Sequence, residues 1–205
     1  KEEVKESEGD LTTEETAVLN APVPILSELP PVVFEDDFSS GFSNWEAFQN
    51  EQMIQVEEDV LKTNGSGNAQ FSPKRMWFQG ERLNFEYDFR ITNGSAGIQF
   101  HMQNKTVNNY DHTGYIANVS PQGKVDLIKG QPSGRKTLTQ AAIPDFAKDT
   151  WIHARVEYLK EGGRIRIYYN DMDQPLIDVS DPDGYQEGYL GFIGMYGTAQ
   201  FDNVK

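Results

Sequence analysis

The chain has 205 residues, with 18 Lys+Arg against 32 Asp+Glu, a net charge of −14 at pH 7, and no Cys. Such a charge is repelled by phosphate backbones and by anionic lipid, which argues against general nucleic-acid binding and against electrostatic attachment to membranes. The lack of Cys excludes disulfides, thiolate metal sites and cysteine nucleophiles. No apolar run approaches the roughly 20 residues that a membrane-spanning helix needs.

Residues 1–31 differ in composition from the rest of the chain. The first fifteen are rich in glutamate and poor in apolar residues, which predicts a solvated tail, and residues 21–31 contain four prolines, which predicts an extended linker. Because the sequence starts at Lys1 rather than Met, we expect an exported, processed product at the cell surface or outside the cell. The tail is interpreted equally well as an anchor or as a dispensable solubilising leader.

From residue 32 onward, apolar and polar residues alternate with the period of a β-strand. The clearest segments are 83–91, 151–159 and 163–170, where one face is apolar and the other is polar. The remaining predicted strands, in chain order, are 32–38, 53–56, 60–64, 69–71, 96–102, 115–120, 124–129, 138–140, 176–179, 189–195 and 200–205.

The connections carry turn residues, such as Asn64-Gly65 and Asn93-Gly94. A short helical turn is predicted over 141–148. Roughly a dozen strands in one domain require two stacked sheets, since a single open sheet of that size curls or splits. We therefore predict an all-β domain at 32–205, folded as a two-sheet antiparallel jelly-roll sandwich.

Several motifs in this order resemble one known family. The motifs are FEDDFSSGFSNWE (34–46), NFEYDFRIT with GSAGIQFHM (84–102), TGYIANV (113–119), DTWIHARVEY (149–158), GRIRIYYND (163–171) and GYLGFIGMYGTAQFDNVK (188–205). They are similar to the concanavalin A-like lectin/glucanase superfamily, in the branch with family 66 carbohydrate-binding modules and 3-keto-glycoside hydrolase-like domains. The resemblance implies a carbohydrate ligand, with fructan as one candidate.

The sequence departs from the catalytic patterns that this resemblance implies. Glucanases of the superfamily carry acidic residues at three alternate strand positions, and here Glu86 and Asp88 are followed by Arg90. The keto-glycoside branch implies an Arg and a Glu where this chain has His101 and Ile116. We therefore predict a non-catalytic carbohydrate-binding module. A glycoside hydrolase is the first alternative, with Glu86, Asp88 and Glu157 as the carboxyl groups to test.

Sugar sites combine aromatic rings with fork-shaped donors, amides and carboxylates. If the polar strand faces share the concave side of one sheet, that mixture is expected there. The predicted ligand-binding residues are Glu86, Asp88, Arg90, Gln99, His101, Tyr115, Arg155, Arg166, Tyr168 and Trp77, with Tyr110 and Asp111 also at the rim. The structural alternative for this face is a ladder of ion pairs, Glu86 with Arg155 and Asp88 with Arg166. A third function, an adhesion or scaffold domain, also stays open.

A structural calcium ion is one interpretation of the acidic residues near the first and last strands, which often neighbour each other in sandwiches, and the resemblance implies such an ion in some members. Its predicted ligands are Asp36, Asp37, Asp202 and Asn203. The alternative is that Asp37 and Asp202 only hydrogen-bond backbone groups at strand ends. Among the tryptophans, Trp45 and Trp151 are expected in the core or at its edge, and Trp77 is expected to be exposed.

Overall fold

The computed structural model describes residues 32–105 and 113–205, and in this part of the chain nearly all regular structure is β-strand. The strands are β1 (Trp45–Gln49), β2 (Ile54–Glu57), β3 (Val60–Pro73), β4 (Arg82–Ile91), β5 (Ser95–Met102), β6 (Gly114–Val119), β7 (Lys124–Gln131), β8 (Gly134–Ala142), β9 (Ile152–Leu159), β10 (Arg164–Tyr169), β11 (Ile177–Ser180) and β12 (Tyr189–Asp202). Two short 3-10 turns, Glu51–Met53 and Glu161–Gly163, are the only helical elements of the described residues. This confirms the all-β prediction.

The strands form a sandwich of two antiparallel sheets that share β3 and β12. Sheet I has the order β11-β10-β9-β4, followed by the second half of β12, the first half of β3, and β2. Sheet II has the order β8-β7-β6-β5, followed by the first half of β12, the second half of β3, and β1. β12 can serve both sheets because its register shifts between Met195 and Gly197, where the strand passes from one sheet to the other.

The core between the sheets is built from the apolar face of each alternating strand. In β4 it receives Phe85, Tyr87 and Phe89, all of which are at most 3% exposed. Near the shared strands, Phe71 of β3 stacks on Phe192 of β12, with ring centroids 5.6 Å apart. Burial of these rings leaves the polar faces of the same strands on the outside of the sandwich, where a ligand site can be built.

The predicted strands 60–64 and 69–71 are parts of one continuous strand, β3. The turn predicted between them at Asn64-Gly65 is therefore wrong. Asn64 and Gly65 pair with Thr198 and Gly197 in the middle of β3 and β12. The ladder of hydrogen bonds to β12 outweighs the local turn preference of an Asn-Gly pair. For the same reason the predicted strands 189–195 and 200–205 are joined in β12.

Two further element predictions are corrected. Residues 32–38 form no strand and contribute only one bridge, between Asp36 and Val204. The segment 141–148 forms no helix, because Ala141 and Ala142 end β8 in register with β7 and Pro144 follows directly. Within the described residues, no helix has the length and hydrophobicity of a membrane span.

Candidate functional site

Six of the predicted ligand-binding residues share the outer face of sheet I. They are Glu86, Asp88 and Arg90 of β4, Arg155 of β9, and Arg166 and Tyr168 of β10. The register places Glu86, Arg155 and Tyr168 in one row across the three strands. The predicted clustering on one surface is therefore correct for these six residues.

Two of the three residues in this row, Arg155 and Tyr168, make contacts within the protein. The guanidinium of Arg155 lies 4.0 Å from the ring centroid of Tyr168 and donates a hydrogen bond of 2.6 Å to the carbonyl oxygen of Met172. It is therefore not engaged by Glu86, its neighbour in the row. Tyr168 is 2% exposed, so its ring cannot stack on a sugar in this conformation.

A second row of sheet I holds a buried carboxylate between two cations. Glu157 is 1% exposed; its oxygens lie 2.8 Å from Nη2 of Arg82 and 3.1 Å from Nη1 of Arg166, and the Tyr168 hydroxyl donates a bond of 3.3 Å. Arg166 also lies 3.4 Å from the Asp178 carboxylate. This arrangement is structural, because a fully paired and buried carboxylate cannot reach a scissile bond.

The structural alternative predicted an ion pair between Asp88 and Arg166, and this pair does not form. The two carboxylate oxygens of Asp88 lie 2.7 Å from Nδ1 of His153 and 2.8 Å from Nδ2 of Asn203, which donates a hydrogen bond. Asp202 is the direct partner of Asp88 across the strand pair. Partial burial and the nearby carboxylates, Asp88 first among them, raise the pKa of Asp202, although a hydrogen bond from the backbone of Asn203 opposes the shift.

Gln99, His101 and Tyr115 do not join the outer face of sheet I. All three lie in sheet II or at its end. Tyr115 points into the core and donates a hydrogen bond of 2.7 Å to Asp181. His101 has a left-handed backbone conformation with φ of 50° and forms a T-shaped ring pair with Tyr158, with centroids 4.3 Å apart. Its Nδ1 donates a hydrogen bond of 2.8 Å to the carbonyl oxygen of Tyr185. Period-two alternation alone cannot tell which of two sheets a polar residue faces.

Sheet II carries a buried polar cluster that sequence reasoning missed. Gln99 donates a hydrogen bond of 2.8 Å to Gln70 of β3. In the described part of the chain, the side-chain polar atoms of Asn68, the hydroxyl of Ser72 and Oδ1 of Asn118 are shielded from solvent and have no hydrogen-bond partner. Such atoms cost free energy unless water or a ligand satisfies them.

An open groove of about 580 Å³ lies at the edge of sheet I, beside the start of β4. Its lining includes polar residues, among them Arg82, Asn84, Glu86 and Lys205. The backbone of Lys205 exchanges two hydrogen bonds with that of Glu86, at 2.8 and 2.9 Å, which fixes these two residues relative to each other. Both polar atoms of the Asn84 amide are shielded from bulk solvent and make no hydrogen bond in the structure.

Trp77 lines the same groove and is 40% exposed, as predicted for this tryptophan. Its indole packs in a T-shaped arrangement with the ring of Tyr189, at a centroid distance of 4.9 Å, which holds the indole in place. Trp45 is buried, as predicted. Trp151 is 37% exposed and lies under the guanidinium of Arg90 at 4.9 Å, so of the two places expected for it, the core or its edge, it is not in the core.

The predicted calcium ligands are near one another, but they do not form a fitting set. The Asp36 carboxylate accepts hydrogen bonds from the backbone of Phe38 at 2.7 Å, from Asn44 at 2.8 Å and from the Trp45 indole at 3.1 Å. Asp37 and Asn203 line a hollow of about 450 Å³. Among the described residues, no group of three or more His, Asp and Glu is arranged to hold a metal ion. Calcium binding stays a prediction that this donor set does not support.

Sequence reasoning found Trp77 and Glu86 of the groove and missed Arg82 and Asn84. Asn84 could have been predicted from the sequence, because it alternates with Glu86 on the polar side of the same strand. The predicted rim residues Tyr110 and Asp111 lie outside the described residues.

Solved structures confirm the sandwich. The carbohydrate-binding module CBM66 from Bacillus subtilis is 21% identical, with a TM-score of 0.63, and the match covers 78% of this chain and 93% of that one. A legume lectin-like domain from Entamoeba histolytica is 16% identical with a TM-score of 0.61, covering 78% and 87%. A β-1,3-1,4-glucanase (lichenase) derived from a mouse hindgut metagenome is 12% identical with a TM-score of 0.63, covering 83% and 96%. At these identities the similarity establishes the fold alone.

No curated protein matches the chain. A family model does match, over residues 32–205, which is most of the sequence. The sandwich, its strand order and this match together place the chain in the family of 3-keto-alpha-glucoside-1,2-lyase-like domains.

Proposed function

We propose that the protein is a non-catalytic carbohydrate-binding domain and that its saccharide binds in the groove beside the start of β4. The observation that carries the proposal is the meeting of an exposed indole, Trp77, with the partly exposed carboxylate of Glu86 in one open groove. Sugar C–H faces pack on aromatic rings, while paired hydroxyls need donors and acceptors close by.

The absence of hydrolysis is inferred from the residues at the catalytic positions that the family resemblance implies. His101 stands where that pattern has an Arg, and burial lowers its pKa to about 4, so its ring is uncharged at neutral pH. Ile116, in place of a Glu, can neither accept nor donate a proton. Glu157 is locked between Arg82 and Arg166.

A glycan array followed by calorimetry tests the binding proposal. We expect Trp77→Ala to weaken binding at least tenfold, because stacking of a sugar ring on an indole is lost. Trp151→Ala is the matched control: it removes an equally exposed indole from outside the groove and should leave affinity unchanged. Loss of binding in Trp151→Ala with full binding in Trp77→Ala would move the site away from the groove.

A glycoside hydrolase is the alternative that one observation favours. Asp88 and Asp202 face each other across a strand pair, and the raised pKa of Asp202 suits a general acid. Chromatography of glycans incubated with the protein separates the two functions. We expect no cleavage products. Cleavage that disappears in Asp202→Asn would establish the enzyme.

The exported location and the anchoring role of residues 1–31 are further parts of this proposal. They are supported by composition alone, an acidic stretch followed by a proline-rich one. Fractionation of cells that produce the full-length protein tests both.

A further inference from the structure

The groove has an apolar lining that a simple oligosaccharide does not explain. Nine of its fourteen lining residues are apolar. Beyond Trp77, they include Val32, Val33, Met76 and Leu83. A bare oligosaccharide carries hydroxyl groups around its whole periphery and gains little from apolar surface beyond one ring face.

The apolar lining is partly exposed to water. Val32 and Val33 are 64% and 70% exposed, while Met76 and Leu83 pack against the core and leave only part of their surface in the groove. With the Trp77 indole they give the groove an apolar lining in addition to its polar residues. Exposed apolar surface in a groove rimmed by polar residues is a feature of binding sites.

We infer that the groove binds a glycoside whose aglycone is apolar, such as an alkyl or aryl glycoside. The sugar is recognised by Trp77 and Glu86, and the aglycone packs along Val33 and Met76. This inference rests on the proposed function, since it assigns the ligand class of the same groove. It predicts that affinity depends on the aglycone as well as on the sugar.

A homologous series of ligands tests the inference. Methyl, butyl and hexyl glucosides of both anomers, kept below their micelle concentrations, are titrated calorimetrically into the full chain. Burial of each methylene group should raise affinity roughly two- to fourfold. Hexanol alone should bind far more weakly than hexyl glucoside, because it lacks the sugar.

Two variants locate the aglycone. Val33→Asn and Met76→Gln should flatten the dependence of affinity on chain length, measured within each variant as the ratio of hexyl to methyl glucoside affinity. Val33 is exposed, so its replacement does not disturb the core. Tyr196→Asn is the control: it removes an exposed aromatic ring from outside the groove and should preserve the dependence.

The outcomes separate this inference from the proposed function. Equal affinity for methyl and hexyl glucoside would overturn the inference and leave the carbohydrate site in place. Equal affinity for hexanol and hexyl glucoside would also overturn the inference, because it would show that the groove does not recognise the sugar. Failure of every glucoside to bind, with glycan binding that is insensitive to Trp77→Ala, would overturn both.

Discussion

The polar residues of sheet I have two different roles. Some stabilise the sheet through buried ion pairs, and others are partly exposed and can contact a ligand. Glu157 is surrounded by Arg82, Arg166 and Tyr168 and is almost completely buried. Glu86, one row along, is partly exposed and lines the groove. The sequence pattern treats both as polar residues of alternating strands, so only the three-dimensional neighbours distinguish their roles.

We expect Glu157→Gln to lower the free energy of unfolding by about 3 kcal/mol, because removal of one buried partner leaves the other charges uncompensated. Urea denaturation at pH 7 measures the change. Glu81→Gln is the control: Glu81 pairs with Lys160 at the surface, and its loss should cost at most about 0.5 kcal/mol. Equal effects of the two substitutions would contradict the structural role of Glu157.

Because the pKa of His101 is lower in the folded chain than its ordinary value, we expect folding stability to fall in mild acid. The folded-state pKa of His101, about 4 and lowered by burial, is below the ordinary value of 6.5. Between these values the unfolded chain binds more protons than the folded chain does. Folding stability therefore falls as the pH drops from 6.5 to 4, by about 3 kcal/mol in total from this one group.

The contribution is measured as the difference in unfolding free energy between the wild type and His101→Gln at several pH values. Glutamine keeps a side-chain donor for the carbonyl oxygen of Tyr185 and does not titrate. The variant should show a flatter pH dependence over this range. Parallel pH profiles of the two proteins would show that His101 does not titrate as a buried group.

At the scale of elements, the connection between β4 and β5 fixes the place where β12 changes sheets. Gly94 in this turn has φ of +79°, and a Cβ there would overlap the carbonyl oxygen of Met195 and the backbone of Gly197. The close approach coincides with the register shift of β12. The turn at Asn93-Gly94 was predictable from its residue types, whereas the contact with β12, about a hundred residues later, was not.

Gly94→Ala should destabilise the protein by about 2 kcal/mol or more, from the left-handed conformation and from the clash with β12 together. Gly41→Ala is the matched control. Gly41 also has a left-handed conformation, with φ of +68°, but no atom lies within 4 Å of its added Cβ, so only the conformational cost of about 1 kcal/mol applies. Thermal unfolding of both variants measures the difference. A smaller loss for Gly94→Ala than for Gly41→Ala would contradict the packing argument.

At the scale of the whole molecule, alternation in segments such as 83–91 and 151–159 was enough to predict an antiparallel sandwich. The distribution of polar faces between the sheets was not predictable, because it depends on strand order and on the sharing of β12. Arg155 and Gln99 both sit on polar strand faces, yet they belong to different sheets. The groove depends on contacts between segments that are far apart in sequence, such as Trp77 with Tyr189, and alternation contains no information on these.

The three tryptophans provide the most direct test of the binding site, since one is buried, one lines the groove and one is exposed outside it. Their indole N–H resonances, assigned through single Trp→Phe variants, are followed in ¹H–¹⁵N spectra while a glycan that the array identifies is added. We predict a saturable shift of the Trp77 resonance, with Trp45 and Trp151 unchanged. A saturable shift of Trp151 alone, with Trp77 unmoved, would contradict the proposed groove.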